Sequence, residues 1–257
     1  MGAPFRKAAV LAAVLAIGAC ASAYAITAEI GPVWVSATAT VQPRVLPKPG
    51  HGNAPITLES ITRVGTHDGS TPPTLQTLLF TLDKNGTLNA RGWPTCSAAK
   101  LAGTTPSQAR RRCAAALVGT GKARVLVTMP GKAPFTITSP LSFFNGPPAG
   151  GRATLIAHGY ETVPSPQTLL VPIPIERLSG GRYGYRVKVN LPEFAGGYGA
   201  PLLAEAKIGA TRKRGGKTIG YIAAHCSGGR LQVYGTARFT DGDFFPVTLT
   251  SPCHFPG

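Results

Sequence analysis

Four cysteines, Cys96, Cys113, Cys226 and Cys253, are the residues whose chemistry is most narrowed by type and spacing. The chain opens with an export-type segment, and an even cysteine number in an exported chain reads as two disulfides, with three connectivities available. Each of the pairs 96/113 and 226/253 sits within one local supersecondary unit, which favours Cys96–Cys113 and Cys226–Cys253. Zinc is the rival, because His225 precedes Cys226 and His254 follows Cys253. On an extended strand, however, neighbouring side chains point to opposite faces, so His225 and Cys226 cannot both reach one ion. No C-x-x-C spacing occurs either, so no metal and no cofactor is expected.

The familiar catalytic signatures are missing: there is no G-x-S-x-G elbow, no H-E-x-x-H and no EF-hand loop. The run from Thr211 to Thr218 imitates a Walker loop, but Thr211 stands where its first glycine belongs and no helix follows. It reads as a basic hairpin tip. Among the ten acids, Asp83, Asp241 and Asp243 lie beside turns, while Glu176 and Glu193 lie on or near strands with nothing to pair them. His51 and His67 fall in loops, and His158 shares a strand face with Ile156 and Tyr160. Without a motif to fix a nucleophile, His158 reads as an ordinary strand histidine.

Basic residues cluster twice. Arg110, Arg111 and Arg112 fall in a short helix, where three consecutive residues span about 200° and share no face. Arg212, Lys213, Arg214 and Lys217 make a denser tip. Arg182, Arg186, Lys188, Arg230 and Arg238 extend a broad positive surface suited to anionic envelope polymers or lipid headgroups. Tyr183 and Tyr185 lie on the apolar face and not the basic one, so no stacking platform for nucleic acid forms. The candidate ligand-binding residues are therefore Arg212, Lys213, Arg214 and Lys217, with Tyr183, Tyr185, Phe143 and Phe144 as candidate lining of an apolar groove.

The elements that must position these residues are strands. Gly 32 and Pro 24 together make about a fifth of the 257 residues, which disfavours helical bundles. Period-two alternation dominates, most clearly where Tyr183, Tyr185, Val187, Val189 and Leu191 line one face against Arg182, Gly184, Arg186, Lys188 and Asn190. Leu231, Val233, Ala237 and Phe239 repeat the pattern. About ten to eleven strands are expected, separated by Gly-rich turns such as Asn85-Gly86 and Gly215-Gly216. Thr168 to Glu176 carries Pro172 and Pro174 on one face, which suits an edge strand. The Ala-rich stretch 97–117, with a capping-box signature at Thr105-Pro106-Ser107-Gln108, predicts two short helices pinned by Cys96–Cys113.

At the N-terminus, Arg6-Lys7, an apolar run from Ala8 to Ala19 and Ala23-Tyr24-Ala25 have the form of a cleavable secretory signal over residues 1–25. An uncleaved anchor is the rival for that run. Ile17-Gly18-Ala19-Cys20 resembles a bacterial lipobox that competes with the small-x-small site downstream, and whether lipidated or removed with the signal, Cys20 is explained by processing and not by the fold. The whole chain carries 26 Lys+Arg against 10 Asp+Glu, a formal net charge of +16. Removal of Arg6 and Lys7 with the signal leaves 24 bases against 10 acids, a net of +14. Residues 26–55, rich in Pro and Gly at their C-terminal end, read as an arm, and 56–257 as a single β-rich domain.

Gly92-Trp93-Pro94-Thr95-Cys96, then Ala109, Cys113 and Ala116-Leu117-Val118-Gly119-Thr120-Gly121, resemble a family of uncharacterised exported proteins of actinobacteria. Phe144-Asn145-Gly146, Ala195-Gly196-Gly197-Tyr198-Gly199 and Ala223-Ala224-His225-Cys226 fit the same likeness. The resemblance implies export and two disulfides, and no activity. The sequence thus predicts an all-β protein, an antiparallel β-sandwich or curved half-barrel with a small two-helix insert. Its expected role is non-enzymatic, at the cell envelope, binding an amphiphilic or anionic ligand. A secreted hydrolase without a recognisable motif is the alternative, and a dry cavity against a polar cleft would separate the two.

Overall fold

The computed structural model describes residues 26–256. The export-type segment and Cys20 lie outside the described residues. The chain begins with β1 (Ile26–Ile30) and β2 (Val33–Gln42), followed by β3 (Ala54–Pro55), β4 (Thr57–Thr66), β5 (Leu75–Asp83) and β6 (Gly86–Leu88). After a helical insert come β7 (Leu117–Val127), β8 (Phe135–Ala149), β9 (Arg152–Glu161), β10 (Gln167–Arg177), β11 (Tyr183–Asn190) and β12 (Gly199–Ile208). The last strands are β13 (Thr211–Arg214), β14 (Lys217–Gly220), β15 (Ile222–Ala224), β16 (Arg230–Phe239) and β17 (Phe244–Pro252).

Twelve of these form one sheet in the order β1-β2-β4-β12-β7-β8-β9-β10-β11-β5-β16-β17. A twist of fixed hand accumulates over so many strands and curls the sheet back on itself. Its two edges meet without a continuous ladder. Instead Val33 and Val35 of β2 pack with Phe239 and Phe245, and Ala37 and Ala39 pack with Leu249 of β17. The Val41 amide also donates to Ser251 Oγ at 2.9 Å. The all-β fold with a helical insert is as expected, and of the two expected arrangements it is the curved one.

Alternation explains the inside and the outside. Along β2, Val33, Val35, Ala37, Ala39 and Val41 are buried while the residues between them are not. On β12, Ala204, Ala206 and Ile208 share one face, and the intervening Glu205 and Lys207 form ion pairs with Lys122 at 3.2 Å and Glu59 at 2.6 Å. A membrane barrel needs the reverse, an apolar belt outside and polar residues within. Among the described residues, no helix is long and apolar enough to cross a membrane.

The insert comprises α1 (Ala98–Leu101) and α2 (Pro106–Arg112). Thr105 and Gln108 complete the capping box in both directions. Cys96 and Cys113 are disulfide-bonded, as are Cys226 and Cys253. Leu101, Ala109 and the 96–113 disulfide bury the outward Phe144 of β8 and Ile156 of β9. Each fully buried large apolar side chain is worth about 1.5–3 kcal/mol, so this patch holds the insert on the wall.

Several expectations give way. Residues 26–55 are not an arm: β1 and β2 are wall strands and β3 joins β15 and β6 in a three-stranded sheet. There are 17 strands among the described residues because β3, β6 and β13–β15 are too short for periodicity to reveal. Asn85-Gly86 does turn the chain, with the Asn85 amide bonded to Asp83 Oδ1, but β6 then pairs with β15 instead of returning along β5. Finally, β10 is not an edge strand, since it lies between β9 and β11. Yet it pairs with β11 only at Ile175–Arg177, so residues 167–174, with both prolines, face a side where no ladder forms.

Candidate functional site: a divided apolar interior

The inward rows do not fill the space they enclose. Two adjoining cavities, of about 250 and 180 Å³, run along the interior. Ser60, Leu78, Phe80, Phe143, Ile173 and Ala206 are among the residues that line both, and so form the waist between them. Together they fall within the lower part of the ~300–1,000 Å³ range of small-molecule sites.

The larger cavity lies under a cap. Leu88, Tyr221, Ile222 and Ala223 line it from the three-stranded sheet and its flanks. Asn145 fixes this cap: its Nδ2 donates to the carbonyls of Ala90, Trp93 and Pro94 at 3.1–3.3 Å, and its Oδ1 accepts from the Tyr221 hydroxyl at 3.1 Å. Burial pushes the Tyr221 hydroxyl well above its ordinary pKa, so it stays a neutral donor. Trp93 meets Tyr221 edge-on at 5.5 Å, and Arg212 lies over the Trp93 ring at 4.8 Å.

The smaller cavity lies toward the opposite mouth. There the segment 191–198 runs from β11 to β12, which are far apart in the sheet order, and must cross the opening. Phe194 and Pro192 line the cavity from this crossing. Leu169, Val171 and Ile173 of β10 face Val189 and Leu191 across the stretch where β10 and β11 do not pair. The ladder of the wall is therefore interrupted beside this cavity as well as at the seam between its edges.

Each end holds one buried carboxylate. Asp83, at the cap, accepts from the amides of Asn85 and Gln232 and lies 3.6 Å from Arg182. Glu161, 2% exposed, ends the inward row Ala153, Leu155, Ala157, Gly159 of β9. Its Oε2 accepts from Gln167 Nε2 at 2.8 Å and its Oε1 from the Ala195 amide at 3.2 Å. Sequence reasoning passed over Glu161, although a charged residue at the apolar parity of a strand was the available signal.

The expected ligand residues do not gather into one site. Tyr185 lines the larger cavity and accepts from the Leu88 amide at 3.2 Å, whereas Tyr183 is not part of the lining. Phe143 lines both cavities, but Phe144 points outward beneath the insert, since adjacent strand residues take opposite faces. Lys213, Arg214 and Lys217 are exposed on the β13–β14 hairpin outside both cavities, and Arg212 is half-buried on Trp93. His225 bonds Asn53 Oδ1 through Nδ1 at 2.8 Å. Among the described residues, no group of three or more His, Cys, Asp or Glu is placed to hold a metal ion.

His158 is fully buried on the outer face of β9, under the insert. Its Nε2 lies 3.0 Å from both the carbonyl and the hydroxyl of Thr104. The Thr104 hydroxyl donates to the Leu101 carbonyl at 2.6 Å, so Nε2 carries the proton and donates to the Thr104 carbonyl. Desolvation holds its pKa below the ordinary 6.5, opposed by that hydrogen bond. Ser142 is its cross-strand partner, but the serine hydroxyl and His158 Nδ1 make no bond to each other, and neither residue lines a cavity. His158 fastens the insert to the wall.

No family model, no curated protein and no solved structure matches this chain.

Proposed function

We propose that the protein binds an apolar or amphiphilic small molecule inside its barrel and does so as a non-enzymatic component of the cell envelope, outside the cytoplasm. The observation that carries this reading is the pair of adjoining, largely apolar cavities that meet at a waist of small, aliphatic and aromatic side chains. Two disulfides and the signal-like N-terminus support an oxidising compartment. The basic exterior suits an anionic envelope polymer or headgroup surface as a partner.

A bound ligand stabilises the native state by mass action. Decanol should therefore raise the melting temperature in a concentration-dependent way, and mass spectrometry of the natively purified protein should find a copurifying apolar molecule. Ala206→Phe places a ring at the waist, since Ala206 lines both cavities. The variant should melt at or above the wild-type temperature because it fills empty volume, yet lose the decanol shift. A wild-type protein with no decanol shift and no copurifying molecule would end the reading.

A further inference from the structure

Glu161 is the one feature of the smaller cavity that an apolar ligand alone does not explain. Its carboxylate is 2% exposed, sits at the inward parity of β9 and lines a largely apolar chamber, whose other polar lining is Ser60, Thr62, Ser139 and Glu205, the last paired with Lys122. Burying an ionised group is costly unless it is paired and hydrogen-bonded. The buried Asp83 has Arg182, but Glu161 forms no ion pair among the described residues. Its protein donors are two, the Gln167 amide group and the Ala195 N–H. A carboxylate offers about four acceptor positions, so roughly half its capacity is left.

The protein is built to hold that carboxylate in place. Gln167 is the cross-strand partner of Glu161 in the β9–β10 ladder. Ala195 is fully buried with φ +49°, the one described non-glycine residue at positive φ, and this conformation accompanies the aiming of its N–H at Oε1. Phe194 beside it lines the same cavity. The result is a carboxylate gripped on two sides, without an ion pair among the described residues, at one end of a largely apolar chamber.

We infer that Glu161 is the head-group anchor of the interior site, and that the ligand is an amphiphile whose head donates hydrogen bonds and is positively charged, a long-chain amine in chemical class. This rests on the cavity reading and adds polarity to it: the chain runs across the waist toward the cap, and the ammonium stays at the 191–198 crossing. A fatty-acid anion is disfavoured, because two carboxylates would share one desolvated chamber. The preference runs against the exterior, since a chain with 26 Lys+Arg and 10 Asp+Glu attracts anions from a distance. Non-specific charge therefore cannot mimic it.

The test is calorimetric titration at neutral pH of the disulfide-intact protein with decylamine and with decanoate. Wild type should bind the amine about tenfold or more tightly than the acid, the scale of one charged hydrogen bond. Glu161→Gln keeps the shape and removes the charge, and should bring the two probes within about threefold, with the amine weakened. Equal or tighter binding of decanoate by wild type would overturn the head-group assignment while leaving the cavity reading intact. So would an amine preference that Glu161→Gln does not change. If neither probe binds wild type, and decanol does not either, the cavity reading fails and this inference with it. The wild-type comparison stands without any variant, should Glu161→Gln fold poorly.

Discussion

Asn145 and His158 lie on adjacent strands of the wall and face opposite ways, and each works as a fastener. Asn145 satisfies all its donors and its acceptor on the cap. Asn145→Leu should therefore leave the Trp93 and Pro94 carbonyls and the Tyr221 hydroxyl wanting partners, while the Ala90 carbonyl keeps the Trp93 amide; the cost is about 1–3 kcal/mol for such a loss, read as a lower denaturant midpoint. His158 makes stability depend on pH in a direction that can be stated. Its folded pKa is depressed below the ordinary 6.5, so the unfolded chain binds the proton more readily. Well above pH 6.5 neither state is protonated and the residue contributes nothing to the pH dependence. Below it, stability falls as pH drops toward the folded pKa. His158→Gln retains a donor for the Thr104 carbonyl and should flatten the fall in melting temperature between pH 7 and pH 5. An unchanged slope would show that other groups govern the acid limb. At this scale the sequence was half legible. His158 read correctly as a strand histidine from its neighbours Ile156 and Tyr160, but its partner Thr104 is 54 residues away and left no local trace. Glu161 was hidden for the opposite reason: its parity was plain, while the empty chamber that gives the parity meaning depends on eleven other strands.

Among the elements, the helical insert was the most legible, because every signal for it is local: the Ala-rich run, Thr105 to Gln108, and two cysteines 17 residues apart. The disulfide closes a loop of a length for which about 3 kcal/mol of stabilisation is typical. Cys96→Ala with Cys113→Ala should cost about that much and loosen the cover over His158 and Phe144, seen as faster hydrogen exchange of the backbone amides at positions 109 and 113 than of the β8–β9 ladder. Equal exchange across insert and wall would mean that apolar packing holds the insert without the bond. By contrast, β10 was only partly legible. Its prolines announced a missing ladder, which is present as the stretch 167–174 without a β11 partner. What they could not announce is that pairing resumes at Ile175, which turns an edge into an interior strand parted from its neighbour.

For the molecule as a whole, closure and charge have different origins. Alternation supplies one apolar and one polar face to any half-buried strand, whichever neighbours it takes. It cannot say that β2 and β17, more than 200 residues apart, pack across a seam with Val41 bonded to Ser251. That is why the sandwich and the curved half-barrel were equally open from the sequence. Charge is set more simply, by the scarcity of acids. Ten Asp and Glu cannot neutralise 26 Lys and Arg, and Glu59, Asp83, Glu176 and Glu205 are already paired with bases. Most of the other described bases are exposed, and their densest point is the β13–β14 tip, where Gly215 and Gly216 at positive φ bring Lys213, Arg214 and Lys217 together. Screening lengths shrink from about 10 Å at 0.1 M salt to 3 Å at 1 M, so attraction to an anionic polymer should vanish over that range. On heparin resin the protein should be retained at low salt and elute below 1 M. Lys213→Gln, Arg214→Gln and Lys217→Gln together should elute at clearly lower salt than the equally charged variant Arg124→Gln, Lys132→Gln, Arg152→Gln, whose exposed bases lie apart in the chain. Arg212 is left out of the set because its guanidinium is committed to Trp93. Equal elution of the two triple variants would show that the surface acts through net charge alone, and would remove the hairpin tip from the list of contact points.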